Sequence, residues 1–406
     1  MIRDHSRMTL TRSTITPSSH FLFTGTKILV KIGSQTPDYN LAMPEFKYCH
    51  LLRTAALVSM FAISLASSGQ LNHSFDASLS KTAPASATLE REIRADMNFL
   101  ADDDLHGRGS ATRDEHIAAL FAASQFQALG LEPGGDNGSF LQKTPLPTPL
   151  PERLQQSLSK FQERTRKETW NAIAILRGTS AQGEVVLLTA HLDHLGVGPA
   201  VNGDIIYNGA DDDASGTTAV LTLARLLAAG PRPKRTIVFA LFGSEEIGGF
   251  GNRAFLQRPP VPLTSIVANL EFEMIGRPDP AVPAGTLWLT GFDRSTLGPE
   301  LAKHGAHLVN DPHPKELFFQ RSDNYALARQ GIIAHTVSSY GLHKDYHQPS
   351  DELRTIDFNH MTNAIASMVS PIRWLADSKW KPEWNAGRKP EQVSPVAVLK
   401  NPAQSR

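Results

Sequence analysis

The sequence predicts an α/β protein in which a central mixed, mostly parallel sheet is covered by helices on both faces, giving three layers. Two observations support this fold class. Short apolar or β-branched runs follow one another beyond Trp170, and segments with helical spacing alternate with them. Strands that are apolar at every position are buried on both faces, which is typical of a sheet sandwiched between helices.

The predicted elements follow in chain order. Apolar residues recur at helical spacing over 89–100 and again over 117–129, where Gly130 follows as a C-cap, so two helices open the fold. Residues 145–168 have no strand period and are predicted to be a surface connection. The predicted strands are NAIAILRG, EVVLLTAHLD, TIVFALFGSEE, SIVANLEFEM, GTLWLTG and GIIAHTVSS, and the later predicted helices are ASGTTAVLTLARLLAAG and DFNHMTNAIASMVSPIRWLAD.

Composition places the chain among ordinary globular proteins. The 406 residues are 41% hydrophobic, with 40 Lys and Arg against 40 Asp and Glu. This balance lacks the basic excess of a dedicated nucleic-acid-binding protein, so no nucleic-acid partner is predicted. The single cysteine, Cys49, excludes an intramolecular disulfide framework and every cysteine-rich zinc module. Any metal site must therefore use histidine and carboxylate ligands.

The order of residue types near the N-terminus is typical of a secretory signal peptide. Lys47 and Arg53 precede a short apolar run that ends in small residues. We predict a cleaved signal peptide over 43–68, with a non-native or disordered extension over 1–42 before it and a flexible linker over 69–87 after it. Because the apolar run is shorter than the roughly 20 residues of a membrane helix, no stable membrane span is expected after cleavage. The sequence therefore predicts a secreted or periplasmic protein.

Acidic and imidazole side chains come directly after several predicted strands or in the loops beside them. They are His191, Asp193 and His194; Asp211, Asp212 and Asp213; Glu245 and Glu246; Glu271 and Glu273; and His347. Ligand sites in sheets of this class lie beyond the carboxyl ends of the strands. Carboxylates about 5 Å apart would repel each other by roughly 3 kcal/mol per pair at an effective dielectric constant of ~20. We therefore expect a bound cation to neutralise them.

Each of these groups has an ordinary structural explanation when it is taken alone. Three aspartates before a helix are usually N-capping residues, and a strand-end histidine with a nearby aspartate is usually a satisfied structural pair. Adjacent glutamates after a strand normally form a solvated turn. Their joint occurrence at successive strand ends favours a shared functional site.

Five motifs carry a resemblance to a known family. AHLDHLG, NGADDDASG, FGSEE, FEMIGR and DYHQPSDE occur in the order and at the approximate spacing of the co-catalytic two-zinc exopeptidases. This family includes bacterial secreted aminopeptidases and glutamate carboxypeptidase, and it belongs to the transferrin-receptor superfamily. The resemblance covers roughly 89–377. We therefore predict a zinc peptidase domain over 88–380 and a C-terminal tail over 381–406.

The resemblance also implies the metal ligands. By analogy, His191 and Glu273 hold one zinc ion, Glu246 and His347 hold a second, and Asp212 bridges the two. Two zinc ions, three carboxylates and one hydroxide would give a neutral set of charges. Imidazole and carboxylate ligands suit zinc, although cobalt or manganese could also bind such a set.

Two further residues are expected to take part in catalysis. The resemblance implies that Glu245 is the general base. Asp193 lies two residues after His191, so its carboxylate is expected to accept the second imidazole N–H and to fix the tautomer of that ligand.

Several assignments stay open at this point. The family usually has aspartate immediately before the methionine of its FEM-like motif, so Glu271 competes with Glu273 for the same role. Asp211 or Asp213 would replace Asp212 if the motif register were shifted by one residue. Further candidate residues for the pocket or its surroundings are Asp323, His194, His343 and Asp351.

The function predicted from the sequence is that of a secreted zinc-dependent exopeptidase, most simply an aminopeptidase. It would hydrolyse N-terminal residues from peptides through a water activated by two zinc ions. A carboxypeptidase or a glutaminyl cyclase-like enzyme on the same scaffold is an alternative, and a non-catalytic zinc-binding ectodomain is another. Ser215 is not part of a G-x-S-x-G elbow, and HExxH is absent, so serine hydrolysis and the other common zinc peptidase class are disfavoured.

Overall fold

The structure is a computed structural model, and it describes residues 85–162 and 166–393. The predicted extension, the signal peptide and most of the linker lie outside the described residues, as do residues 394–406. Within the described part of the chain, no helix is both long and apolar enough to cross a membrane.

A mixed β-sheet forms the centre of the fold, as predicted. Its strands are β1 (Glu132–Pro133), β2 (Leu141–Pro145), β3 (Glu168–Leu176), β4 (Ala181–His191), β7 (Arg235–Phe242), β8 (Ile266–Phe272), β9 (Leu287–Leu289), β10 (Leu308–Asn310) and β11 (Ala334–Ser338), whereas β5 (Gly196–Val201) and β6 (Asp204–Tyr207) form a separate hairpin. The order in space is β1-β3-β7-β4-β8-β11-β9-β10, with β2 paired to β3. The central strands β7, β4, β8 and β11 are parallel. Their carboxyl ends therefore lie along one edge of the sheet.

Helices cover both faces of this sheet and complete the predicted three layers. They are α1 (Ala85–Leu100), α2 (Arg113–Ala128), α3 (Glu152–Leu158), α4 (Gly216–Ala228), α5 (Phe250–Gln257), α6 (Leu297–Lys303), α7 (Asp323–Ala328) and α8 (Phe358–Asp377). Alternate residues of β4 pack against the helices on opposite faces of the sheet. Val186 and Leu188 pack in the cluster formed with α1, α2, α4 and α8. Val185 and Leu187 pack in the cluster formed with α5 and α7.

The buried face of α2 differs from the one that the apolar spacing predicts. Leu120 is 47% exposed, whereas Ala118, Ala119, Ala122 and Phe126 are buried. Small side chains such as alanine allow a helix to pack closely against a sheet. Hydrophobicity alone does not reveal whether the alanine face or the leucine face of a helix is buried. The helix itself is present as predicted, but its orientation was not readable from the larger apolar residues.

Residues 145–168 are more ordered than the predicted surface connection. The short helix α3 lies within this segment, and Leu146, Leu158 and Phe161 pack against Tyr207. A helix of two turns is too short to produce a recognisable period in the sequence. The described part of this segment is therefore largely exposed, as predicted for a surface connection, but it contains a helix and buried anchors that the sequence did not indicate.

His335 in β11 is expected to make the stability of the fold depend on pH. Its Nδ1 lies 2.7 Å from the carbonyl oxygen of Thr290 and its Nε2 lies 2.8 Å from Ser295 Oγ. Burial lowers the pKa of His335 to about 4 in the folded protein, against about 6.5 in the unfolded chain. The neutral imidazole therefore contributes about 3 kcal/mol to the free energy of unfolding. This contribution is complete above pH 6.5 and is lost as the pH falls through 4.

The measurement is denaturant unfolding between pH 7 and pH 4 of the wild type and of His335→Gln. The variant is expected to be less stable at pH 7, but its free energy of unfolding should fall less steeply with acid. Parallel pH dependence of the two proteins would refute a role for this imidazole.

Candidate metal centre

The parallel strands and the loops after them deliver the acidic and imidazole side chains to one edge of the sheet. β4 ends at His191, and Asp212 lies in the turn that precedes α4. After β7, Ser244 adopts a left-handed conformation (φ 57°), and Glu245 and Glu246 follow it. This arrangement follows from the parallel order of the strands, because each strand contributes its carboxyl end to the same edge.

The five side chains predicted to bind metal surround a common centre. Nε2 of His191 lies 3.2 Å from Oδ1 of Asp212, and Nε2 of His347 lies 3.1 Å from Oδ2 of the same carboxylate. The His347 nitrogen is also 3.3 Å from Oε2 of Glu246. Donor atoms of His191, Asp212 and Glu273 lie within 4.8 Å of one another. Asp212 therefore lies between two groups of donors.

The chemistry of these donors fits zinc. Bonds from zinc to imidazole nitrogen or carboxylate oxygen are about 2.0–2.1 Å long, so two tetrahedral ligands of one ion are about 3.3 Å apart. The separations between His191, Asp212 and His347 are close to this value. Nε2 of His191 is buried and has no hydrogen-bond partner among the described residues, which suits a nitrogen that faces a metal ion.

Hydrogen bonds distinguish the three consecutive aspartates. Asp211 accepts a hydrogen bond from the backbone N–H of Gly276 at 2.7 Å, and Asp213 accepts one from the backbone N–H of Gly216 at 2.9 Å. Both carboxylates thus hold backbone groups of the surrounding loops. Asp212 instead faces the imidazoles of the centre.

The two glutamates of the β8 segment also have different environments. Oε2 of Glu271 accepts hydrogen bonds from the backbone N–H of Asn324 at 2.6 Å and from Thr336 Oγ1 at 3.1 Å. Glu273 lines the cavity at the centre and belongs to the donor group of His191. Burial raises the pKa of Glu273 to about 7, although the nearby imidazole opposes the rise.

Asp193 is completely buried, and its carboxylate mainly binds backbone N–H groups of the turn after β7. Its carboxylate accepts hydrogen bonds from the backbone N–H groups of Glu245 at 2.9 Å and Glu246 at 3.3 Å, and from Ser110 Oγ at 2.6 Å. Nδ1 of His191 is 3.1 Å from the backbone carbonyl oxygen of Asp193, whereas it is 3.8 Å from the carboxylate. The carbonyl is thus the group within hydrogen-bonding distance of that imidazole, and the carboxylate fixes the two glutamates.

Glu245 lines the cavity next to the donors. Burial raises the pKa of Glu245 well above its usual value, and the carboxylates of Asp323 and Glu246 add to the rise. The imidazole of His191 opposes it. A carboxylate with a raised pKa holds a proton more readily near neutral pH, which is the property that a general base needs.

Residues 171–370 match the sequence profile of the family described as Peptidase family M28. Over this segment, just under half of its length, the chain is similar to peptidase family M28. Among curated M28-like relatives, the probable lipoprotein aminopeptidase LpqL of Mycobacterium tuberculosis is 32% identical over 133 residues, which cover 32% of this chain and 23% of that protein. Leucine aminopeptidase 1 of Blastomyces gilchristii is 27% identical over 207 residues, 47% of this chain and 53% of that protein. The chain therefore spans less than two thirds of the length of either relative.

Solved structures share the fold of this chain. BSAP, a zinc aminopeptidase from Bacillus subtilis, superposes with a TM-score of 0.53 at 15% identity, covering 72% of this chain and 96% of that one. The LapA aminopeptidase of Legionella pneumophila gives a TM-score of 0.50 at 18% identity, covering 72% of this chain and 74% of that one. At such low identity, these likenesses concern the fold alone.

The remaining polar candidates lie around the candidate metal centre. Asp351 accepts a hydrogen bond from the backbone N–H of Asp212 at 3.1 Å, and Nε2 of His343 lies 3.1 Å from Oδ2 of Asp211. The carbonyl oxygen of Asp323 accepts a hydrogen bond from Asn252 at 2.7 Å. These contacts support the loops of the centre. His194 is the exception, because its ring lies at the centre itself.

Two arginines that support the centre were missed in the sequence. Arg277, in the FEMIGR motif, donates hydrogen bonds to Asp345 at 2.8 Å and to Asp351 at 2.9 Å, and thereby holds the loop that carries His347. Arg108 is 1% exposed and donates to four backbone carbonyl oxygens, those of Leu100, Leu192, Asn208 and Gly209. Arg277 is marked by its place in a motif, whereas nothing around Arg108 distinguishes it from a surface arginine.

An aromatic wall beside the centre was also missed. A partly open cavity adjoins the donors. Its wall is formed by Trp288, Phe318, Tyr340 and Tyr346, and Arg321 also lines the cavity. The rings of Trp288 and Phe318 are stacked with centroids 5.5 Å apart. These residues come from separate segments without a shared motif, so the sequence contains no signal that groups them.

Proposed function

We propose that the chain is a zinc-dependent aminopeptidase that holds two zinc ions and releases N-terminal residues from peptides. The observation that carries this proposal is the convergence of two imidazoles and three carboxylates around one centre, with Glu245 beside them in the same cavity. The similarity of residues 171–370 to peptidase family M28 supports the reaction class.

His191, Asp212 and Glu273 would hold one zinc ion, and Asp212, Glu246 and His347 would hold the other. A pair of zinc ions supplies Lewis-acid stabilisation of negative charge on the scissile carbonyl and makes hydroxide available at neutral pH. The protein contributes the fixed positions of the donors. Asp193 and Asp351 hold the backbone of Glu246 and Asp212.

Glu245 handles the proton in the proposed reaction. Its carboxylate takes a proton from the attacking water while the new C–O bond forms at the scissile carbonyl carbon. It then returns that proton to the leaving nitrogen as the C–N bond breaks. The hydrogen bond from its backbone N–H to Asp193 fixes its position, and its buried surroundings raise its proton affinity.

The aromatic wall is the surface that would contact the substrate side chain. Trp288 is 1% exposed, and Phe318 and Tyr340 are each 8% exposed, so the wall is already packed before a substrate enters. Burying an apolar side chain against such rings is favourable by about 1.5–3 kcal/mol. We therefore expect peptides with a large apolar N-terminal residue to be the best substrates.

A carboxypeptidase is the second candidate, and Arg321 favours it. This side chain lines the cavity, and a guanidinium group binds a substrate carboxylate well. Glu316 lies 3.7 Å from Arg321 and offsets part of its charge.

The test uses one peptide with leucine at its N-terminus in three forms: free, N-acetylated and C-amidated. Zinc content is measured on the same protein. We expect zinc to be bound and the free and C-amidated peptides to be cleaved, while the N-acetylated peptide resists cleavage. Cleavage of the N-acetylated but not of the C-amidated form would instead identify a carboxypeptidase. Zinc binding without cleavage of any form would refute the peptidase and would favour a glutaminyl cyclase-like enzyme or a non-catalytic ectodomain.

We further propose that the protein is exported to the periplasm or the cell exterior. The basic, apolar and small-residue order over 43–68 supports this proposal. Peptides encountered there would be the substrates.

A further inference from the structure

His194 is a third imidazole at the centre, and the function proposed above gives it no role. It follows β4 and is completely buried. Neither of its ring nitrogens has a hydrogen-bond partner among the described residues. An unsatisfied buried polar group costs about 1–3 kcal/mol, so an imidazole with two such atoms requires an explanation.

The contrast with His335 shows that this is not a general property of buried histidines in this fold. His335 is also completely buried, but both of its nitrogens lie within 2.8 Å of an oxygen partner. The ring nitrogens of His194 are therefore available to a partner that is not part of the protein, such as a metal ion.

The Nδ1 atom of His194 faces the metal donors. It lies 2.9 Å from Oε1 of Glu246 and 3.7 Å from Oδ2 of Asp212. Oε1 of Glu246 also lacks a hydrogen-bond partner among the described residues, despite this short separation. These two atoms are close together but do not form a hydrogen bond with each other. This arrangement is expected when both atoms direct a lone pair at the same metal ion.

The backbone holds the ring of His194 in this position. Its N–H donates to the carbonyl oxygen of Arg108 and its carbonyl oxygen accepts from the N–H of Ser110, both at 3.1 Å. On the other side, a Cβ at Gly209 would lie 2.5 Å from Cγ of His194. Glycine at that position, which has a φ of 58°, lets the loop pack directly against the ring.

We propose that His194 is an additional zinc ligand, binding through Nδ1 the ion held by Glu246 and His347. This inference rests on the two-zinc centre proposed above. With Asp212, that ion then has four protein donors, whereas the ion held by His191 and Glu273 has three. Sites with four protein ligands are closed, and sites with three keep an open position. The ion held by His191 and Glu273 would then be the one with an open position for substrate or water.

A weaker role for His194 would be to donate a hydrogen bond to Glu246 and so to orient that ligand. His194→Asn distinguishes the two roles, because its side-chain N–H₂ can occupy roughly the place of Nδ1 and still donate to Glu246. His194→Ala removes both functions. His335→Gln is the matched control, since it alters a buried histidine whose nitrogens are bonded to protein oxygens.

The first experiment is a zinc titration of the purified apo-protein against a chromophoric chelator. The wild type is expected to bind two zinc ions in separable steps. His194→Ala and His194→Asn are each expected to weaken one step by more than about 100-fold, a larger loss than an outer hydrogen bond usually gives. The other step and both steps of His335→Gln should change by no more than a few fold.

The outcomes separate this inference from the proposed function. Wild-type affinity at both steps in His194→Asn would overturn the assignment of His194 as a ligand while the two-zinc centre stands. Failure of the wild type to bind zinc would overturn the proposed function itself.

The second experiment needs no variant and remains decisive if the substituted proteins fail to fold. Wild-type protein with ¹⁵N-labelled histidine is loaded with ¹¹³Cd in place of zinc, and scalar couplings between metal and imidazole nitrogens are recorded by NMR. Three coupled imidazoles are expected, with His194 coupled through Nδ1. Couplings to His191 and His347 alone would refute the assignment.

Discussion

Glu245→Gln is expected to lower kcat by about 10²- to 10⁴-fold while the protein keeps its zinc. Glutamine is nearly the same size as glutamate but cannot accept and return a proton at neutral pH. The backbone hydrogen bond from residue 245 to Asp193 is unaffected by the change, so the turn after β7 should retain its geometry.

The neighbouring residue provides the control for this prediction. Oε2 of Glu246 lies 3.3 Å from Nε2 of His347, so Glu246→Gln should lose zinc as well as turnover. Metal content and kcat are measured for both variants. If Glu245→Gln retained wild-type kcat, or if it lost zinc to the same extent as Glu246→Gln, the assignment of Glu245 as the general base would be wrong.

Arg108→Met is expected to lower the free energy of unfolding by about 3–5 kcal/mol, which is the usual effect of breaking a buried charged network. The guanidinium donates to carbonyl oxygens at the end of α1, after β4 and in the loop before Asp211. Methionine fills much of the volume but removes the guanidinium donor from all four carbonyl groups, of which that of Gly209 keeps the backbone N–H of Ala214. Burial already lowers the pKa of Arg108 to about 10, yet it stays charged at neutral pH.

Urea unfolding at a fixed zinc concentration measures this effect. Arg354→Met is the control, because Arg354 pairs with Glu352 on the surface with 59% of its side chain exposed. An exposed pair of this kind contributes about 0–1 kcal/mol. Equal losses of stability in the two variants would show that the buried network of Arg108 does not hold these segments together.

The sequence predicted the fold class and the position of the centre for the same reason. Buried parallel strands are continuously apolar, so the polar residues that interrupt them, such as His191 and Glu246, stand out at the strand ends. The hydrogen bonds that distinguish Asp212 from Asp211 and Asp213 depend on the geometry of the loop. The spacing of residues in the sequence does not reveal that geometry.

Features that depend on contacts between distant segments were not predictable in this way. Arg108 contacts carbonyl groups 84 to 101 positions further along the chain, and its own neighbours in sequence look like a surface loop. Trp288 and Tyr346 meet at one cavity although they come from separate segments. Local patterns report which face of an element is buried, but they do not report which other element covers it.

The donors of the centre come from five separate parts of the chain, between the end of β4 and the loop before α8. Each of the two proposed ions would draw its ligands from several of these parts and so would bind only the folded chain, and at 1,000 times its dissociation constant one such ion stabilises the fold by about 4 kcal/mol. Such a gain is comparable to the net stability of many domains. Resistance to proteolysis should therefore track the free zinc concentration of the surroundings, so that scarcity of the metal shortens the lifetime of the protein as well as its activity.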